Sequence, residues 1–144
     1  MPITNYCIAE MLNNFFGQQQ AITTPPASWY VGLSDHPLTP EIIDGTSCWE
    51  ITGTNYDRLQ ISNDSGDNIY WLTATTTKPL ILNATPFSFS QAGDDWGTIY
   101  ALFLADSTLG LGNVWWYENI LPTMYISEND ILSFGAKTLL ITME

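Results

Sequence analysis

The chain has 144 residues, of which 45% are hydrophobic, 13% aromatic and only 12% charged, with 3 Lys and Arg against 15 Asp and Glu for a net charge of −12. That length suits one domain with one core, and a charged share about half the ordinary one suggests surface that is covered in an assembly. Phosphate backbones are bound by clustered Lys and Arg that displace counterions. Arg58, Lys78 and Lys137 are too few and too scattered for that, so nucleic acid and anionic membrane surfaces are excluded as partners. No stretch approaches the ~20 apolar residues of a membrane span. The start has no basic region of the secretory kind, so no secretion signal is expected and the sequons at Asn63 and Asn83 are chance matches.

In chain order, the first expected element is a helix over residues 1–17. Ile3, Tyr6, Cys7, Met11, Leu12, Phe15 and Phe16 recur at three- and four-residue spacings and form an apolar stripe. Thr4 or Asn5 can cap its start and Gly17 can end it. Residues 18–28, with Gln18-Gln19-Gln20 and Pro25-Pro26, read as an extended arm. Residues 29–144 then read as a β domain. Strands are expected at Trp29–Leu33, Trp49–Thr52, Asp57–Ile61, Ile69–Ala74, Pro86–Phe89 and Thr98–Leu104. Val114–Asn119, Met124–Ile126, Ile131–Phe134 and Thr138–Thr142 complete the set. Gly, Asn, Asp and Pro punctuate these strands and no helices intervene. The expected fold is therefore mainly β, an antiparallel sandwich or barrel of jelly-roll type with one N-terminal helix, in a single domain spanning 1–144.

Candidate chemistry is sparse. Asp94 and Asp95 precede a strand beside Trp96, and paired carboxylates about 5–9 Å apart are the signature of glycosidases. Neighbours entering a strand point to opposite faces, however. The pair reads as an exposed turn, with Trp96 as an apolar anchor whose N–H seeks a backbone carbonyl. Ser34, Asp35 and His36 are consecutive in a turn before Pro37, which does not build a nucleophile, base and orienting acid. Cys7, Cys48 and His36 cannot make a tetrahedral zinc site, and the two cysteines read as buried thiols. The segment Asp64–Asn68 lacks the acid spacing of a calcium loop. No phosphate-binding glycine loop is present. No catalytic residue, metal or cofactor is expected. The remaining candidates are contact residues, namely Trp115, Trp116 and Tyr117 in the second half and Phe15 and Phe16 on the helix. Trp115, Trp116 or Trp96 would alternatively serve as a sugar-stacking platform.

These residues also carry a resemblance. Thr4, Tyr6 and the pair Met11-Leu12 match a T-x-Y-x-x-x-x-L-L helix. Tyr30, Val31, Gly32, Leu33, Ser34 and Pro37 match Y-V-G-L-S-x-x-x-P, and Gly53, Tyr56 and Arg58 match a segment ending in Y-x-R. Asn83, Phe87 or Phe89, Trp96-Gly97-Thr98-Ile99 and Ala105-Asp106 follow in order. Asp130, Leu132, Phe134, Leu139 and Ile141 resemble the closing pattern, with Asn129 where a glycine is usual. In this ordered set the chain resembles a family of small tailed-bacteriophage virion proteins described as tail-fibre or head-decoration proteins. The resemblance implies a non-enzymatic structural protein of the virion, made in the host bacterial cytoplasm. Compact size and the lack of fibre-like repeats make a capsid decoration (cement) protein on the shell exterior the first expectation. Its partners would be the major capsid protein and, at shell symmetry points, two further copies of itself in a homotrimer. A tail-fibre or baseplate-associated subunit contacting tail proteins is the second expectation, and a carbohydrate-binding module for host glycans the third.

Overall fold

The computed structural model describes residues 1–16, 26–42, 44–63, 71–72 and 80–142. Among them it contains one helix, α1 (Asn5–Phe15), and nine strands. These are β1 (Ser28–Ser34), β2 (Leu59–Ser62), β3 (Trp71–Leu72), β4 (Leu80–Asn83), β5 (Phe87–Ser88), β6 (Gly97–Ala105), β7 (Val114–Ile126), β8 (Ser133–Phe134) and β9 (Leu140–Thr142). All pairings are antiparallel. They form a four-stranded sheet in the order β2-β1-β6-β7, a three-stranded sheet β3-β4-β9 and a pair β5-β8. The expected mainly β, antiparallel, sandwich-like architecture with an N-terminal helix is what the structure shows.

From Ala101 to Ala105 strand β6 is apolar and buried because both of its faces are covered there. Ile99, Leu102 and Leu104 join a core with Val31, Leu33 and Ile61 of the same sheet, and with Leu139, Ile141, Phe89 and Trp96 from across it. Ala101, Phe103 and Ala105 face the other way, against Leu38, Ile42 and Cys48 from the segment after β1 and Val114 and Tyr117 of β7. Strict alternation would set Ile99 and Ala101 on the same face. A register shift in the β6–β7 pairing separates them: Ile99 pairs with Met124 but Ala101 with Asn119. Residues 120–123 of β7 thus oppose Tyr100 alone, and Leu121 in this bulge is fully exposed.

The sequence differs from the structure in several elements. Val114–Asn119 and Met124–Ile126 are one strand, interrupted at Pro122, which has no N–H to offer a ladder. Leu80–Asn83, unexpected beside Pro79, is β4. Trp49–Thr52 is not a strand. Trp49 takes a left-handed backbone with φ 45°, and only Glu50 makes an isolated bridge, to Ser34. The helix begins at Asn5, with Thr4, one of the two expected caps, accepting from the Cys7 N–H. The arm at 18–28 lies outside the described residues except for 26–28, where β1 already begins, and Gly17 also lies outside them.

Gly32 shows how closely the central strands approach the layer above. It pairs with Phe103 in register, and a Cβ there would lie 2.1 Å from the Phe103 ring. The ring therefore lies across the glycine. Gly32→Ala forces that ring to move and should cost about 1–3 kcal/mol. Urea unfolding should show a lower midpoint at an unchanged slope, and an unchanged midpoint would refute this packing.

Candidate functional site

The densest polar arrangement is built on the chain's one arginine. Arg58 is buried, with its side chain fully covered, and it forms a two-pronged ion pair with Glu50: Nε donates to Oε1 at 2.8 Å and NH2 to Oε2 at 2.7 Å. NH1 donates to the carbonyls of Ser107 and Leu111, each at 2.8 Å. The guanidinium carbon lies 5.1 Å from the centroid of the Phe103 ring, whose other neighbour is Gly32. The second carboxylate oxygen also accepts from the Gly110 N–H at 3.2 Å.

Tyr56 completes this network. Its hydroxyl accepts from the Leu33 N–H of β1 and donates to Glu50 Oε1, both at 2.9 Å. Burial, above all, pushes its phenol pKa far upward, with the Glu50 charge adding to the effect. The motif Y-x-R of the sequence is thus two arms of one cluster. Its third arm, Glu50, went unread in the sequence: an acid eight residues before the only arginine of a charge-poor chain was the available signal.

The cluster pins the β6–β7 connection. Asp106 accepts from the Asn113 N–H at 2.8 Å and from the Trp115 indole N–H at 3.0 Å. Gly112, at φ 78°, lets Asp106 and Ser107 come within 2.5 Å of where a Cβ would sit. Above the cluster opens a cleft of about 520 Å³ lined by Thr46, Trp49, Glu50, Thr52, Tyr56 and Leu109 among others. Trp49 is 52% exposed.

The other candidate residues fall as follows. Asp94 accepts from the Thr54 N–H and hydroxyl, each at 2.9 Å, whereas Asp95 accepts from the Glu128 N–H at 2.8 Å. The two acids diverge and hold different loops, as a turn. Trp96 is buried against Tyr56 and Phe89 and its indole donates to the Thr54 carbonyl at 3.1 Å. Asp35 and His36 are exposed in their turn. The Asp64–Asn68 segment lies outside the described residues.

The aromatic trio does not form an open platform. Tyr117 is buried with Phe103 and Val114. Trp116 packs on the inter-sheet core, and Trp29 meets Trp115 and Trp116 edge-on at 5.6 and 5.4 Å. Tyr6 of α1 meets Trp115 edge-on at 5.3 Å. Thr4 donates its hydroxyl to the Val114 carbonyl at 2.6 Å, and its N–H to the Trp115 carbonyl at 2.9 Å. These indoles weld the helix to β7. Trp96 is buried, and Trp115 and Trp116 are half-buried with ring faces and edges engaged in this packing. Phe15 and Phe16, by contrast, are 78% and 73% exposed.

The chain belongs to the family described as Podophage GP4 fiber I protein gp80, whose model matches residues 2–142. No curated protein matches the chain.

Cys7 and Cys48 are buried free thiols, and burial pushes each up to about 11. A buried thiol favours its neutral form, so the folded chain keeps protons that the unfolded chain releases from about pH 9. Their contribution to stability is complete below that pH and is lost as pH rises toward about 11. Tyr56 acts in the same direction. Unfolding midpoints should be flat up to about pH 9 and then fall, and the Cys7→Ala/Cys48→Ala variant should fall less. Rapid reaction of both thiols with Ellman's reagent in the native protein would contradict this burial.

Proposed function

We propose that the chain is a non-enzymatic structural subunit of the tail of a tailed phage, most simply a fibre subunit. The observation that carries this reading is the match of residues 2–142 to a family described as a podophage fibre protein. It favours the tail over the capsid-decoration role, which rested on compact size and the lack of fibre-like repeats. The chain is taken as one domain, made in the host cytoplasm and incorporated into the virion beside other tail proteins.

Self-association is part of the proposal. Helix α1 buries only Cys7 fully, while Leu12, Phe15 and Phe16 at its C-terminal end are exposed among the described residues. An apolar helix end rimmed by polar residues is a contact surface. A second and third copy related by a closed rotation would cover it in a homotrimer. The burial of Tyr117 and the packing of Trp116 against the core favour the helix end over the aromatic trio as that contact.

Two measurements test this. Quantitative mass spectrometry of purified particles should find a few to a few tens of copies, and hundreds would return the subunit to the capsid. Analytical ultracentrifugation should show a trimer that dissociates in Phe15→Asp, and a trimer unmoved by that change would remove the helix from the contact.

A further inference from the structure

Trp49 is the exposed tryptophan of the described residues outside the packed seam, and its backbone is held in a conformation that bulky residues rarely adopt. Its φ is 45°. The distortion is enforced from both sides. The Trp49 carbonyl accepts from the Asp35 N–H at 3.1 Å, Glu50 bridges to Ser34, and the Ile51 N–H donates to the Leu33 carbonyl at 3.1 Å. With its neighbours tied to β1, the left-handed turn directs the indole away from the core and onto the wall of the cleft. The His36 ring lies 5.4 Å away, tilted by 31°. Such strain persists where surrounding structure over-determines it, and it gathers at ligand sites.

The cleft's chemistry narrows the ligand. Its volume, about 520 Å³, lies within the range of small-molecule sites. One wall is the flat indole face; Thr52 brings a hydroxyl, the Thr46 hydroxyl, whose proton goes to Asp44 at 2.7 Å, keeps lone pairs to accept, and Gly45, Gly53 and Gly110 let a ligand approach the backbone closely. Glu50 is the one acid among the described lining residues, and its oxygens are occupied by Arg58, Tyr56 and the Gly110 N–H. Arg58 beneath is saturated in turn, and the chain carries a net charge of −12. An anionic ligand would find repulsion and, among the described lining residues, no cation to bind. With a single, fully engaged carboxylate, the cleft is not arranged for glycosidic cleavage, which takes two. A ligand that is neutral, flat on one C–H face and ringed with hydroxyls fits all of these features.

We propose that the Trp49 cleft binds one neutral pyranose residue of a glycan, stacked on the indole and held by hydroxyl and peptide hydrogen bonds. The inference depends on the cleft alone and not on the subunit's place in the virion, so its failure leaves the fibre reading standing.

The test follows the indole N–H signals by NMR while methyl glycosides of glucose, galactose, mannose, N-acetylglucosamine and rhamnose are added singly to the full chain at millimolar concentrations. Trp49→Gly identifies the Trp49 signal and removes the stacking face. Glycine adopts a positive φ without strain, so this variant should fold with undiminished thermal stability. The expected result is a saturable shift of the Trp49 signal with at least one neutral sugar, lost in Trp49→Gly and absent with glucose 6-phosphate. No shift with any of the five sugars, binding that survives in Trp49→Gly, or an equal shift with glucose 6-phosphate would each overturn the proposal.

Discussion

The structure depends on one buried ion pair. Glu50 and Arg58 lie on a stretch with almost no regular secondary structure, yet they join three parts of the fold that backbone ladders leave apart. Through Arg58 they hold the β6–β7 connection at Ser107 and Leu111, and through Tyr56 they hold the Leu33 amide of β1. The guanidinium also covers Phe103, the ring that lies over Gly32. Removing two charges from water is costly, and the attraction between them offsets that cost only when geometry and hydrogen bonding are nearly complete. Here every nitrogen of the guanidinium donates to an oxygen, and both carboxylate oxygens accept more than one bond. A chain with few charges has used its one arginine as an internal clamp.

Around that clamp, β6 organises two layers. The β6–β7 register breaks between Ile99 and Ala101, where β7 bulges at residues 120–123; Ile99 faces the inter-sheet core while Ala101, Phe103 and Ala105 face the segment that carries Leu38, Ile42 and Cys48. The clamp lies on this second face. The cleft is a direct consequence: the kink at Trp49, needed to bring Glu50 under Arg58 while Ile51 returns to β1, leaves the indole outside. Architecture and candidate binding surface therefore share a cause. The helix is attached separately, by Thr4 and the seam of Tyr6, Trp29, Trp115 and Trp116, and its far end is apolar and exposed among the described residues.

Much of the fold was legible in the sequence, and the failures have physical reasons. The helix, β1, β6 and the turn at Asp94-Asp95 followed from apolar period, side-chain alternation and turn chemistry. Trp49–Thr52 looked like a strand because its residues favour strands, but the tertiary pull of Glu50 toward Arg58 overrode that preference. β7 looked like two strands because Pro122 interrupts the pattern, whereas a bulge accommodates it. The aromatic trio was read as a contact surface because aromatics mark interfaces, and the structure adds tertiary detail that no local pattern carries: Tyr117 is buried, and Trp29 meets Trp115 and Trp116 edge-on. Arg58 and Tyr56 were visible only as members of a resemblance. Their partner Glu50 had one signal, its place eight residues before the chain's one arginine, but nothing local says that a surface-type residue will be buried.

The account's central claim is that Glu50 and Arg58 act as one unit whose loss loosens the fold. A double-mutant cycle of Glu50→Ala and Arg58→Ala, read by urea unfolding, measures that coupling most directly. Each single change should cost about 3–5 kcal/mol, since it strands the other charge in the interior. The double variant should cost little more than either one. Single costs below about 1 kcal/mol, or costs that simply add in the double variant, would contradict the claim.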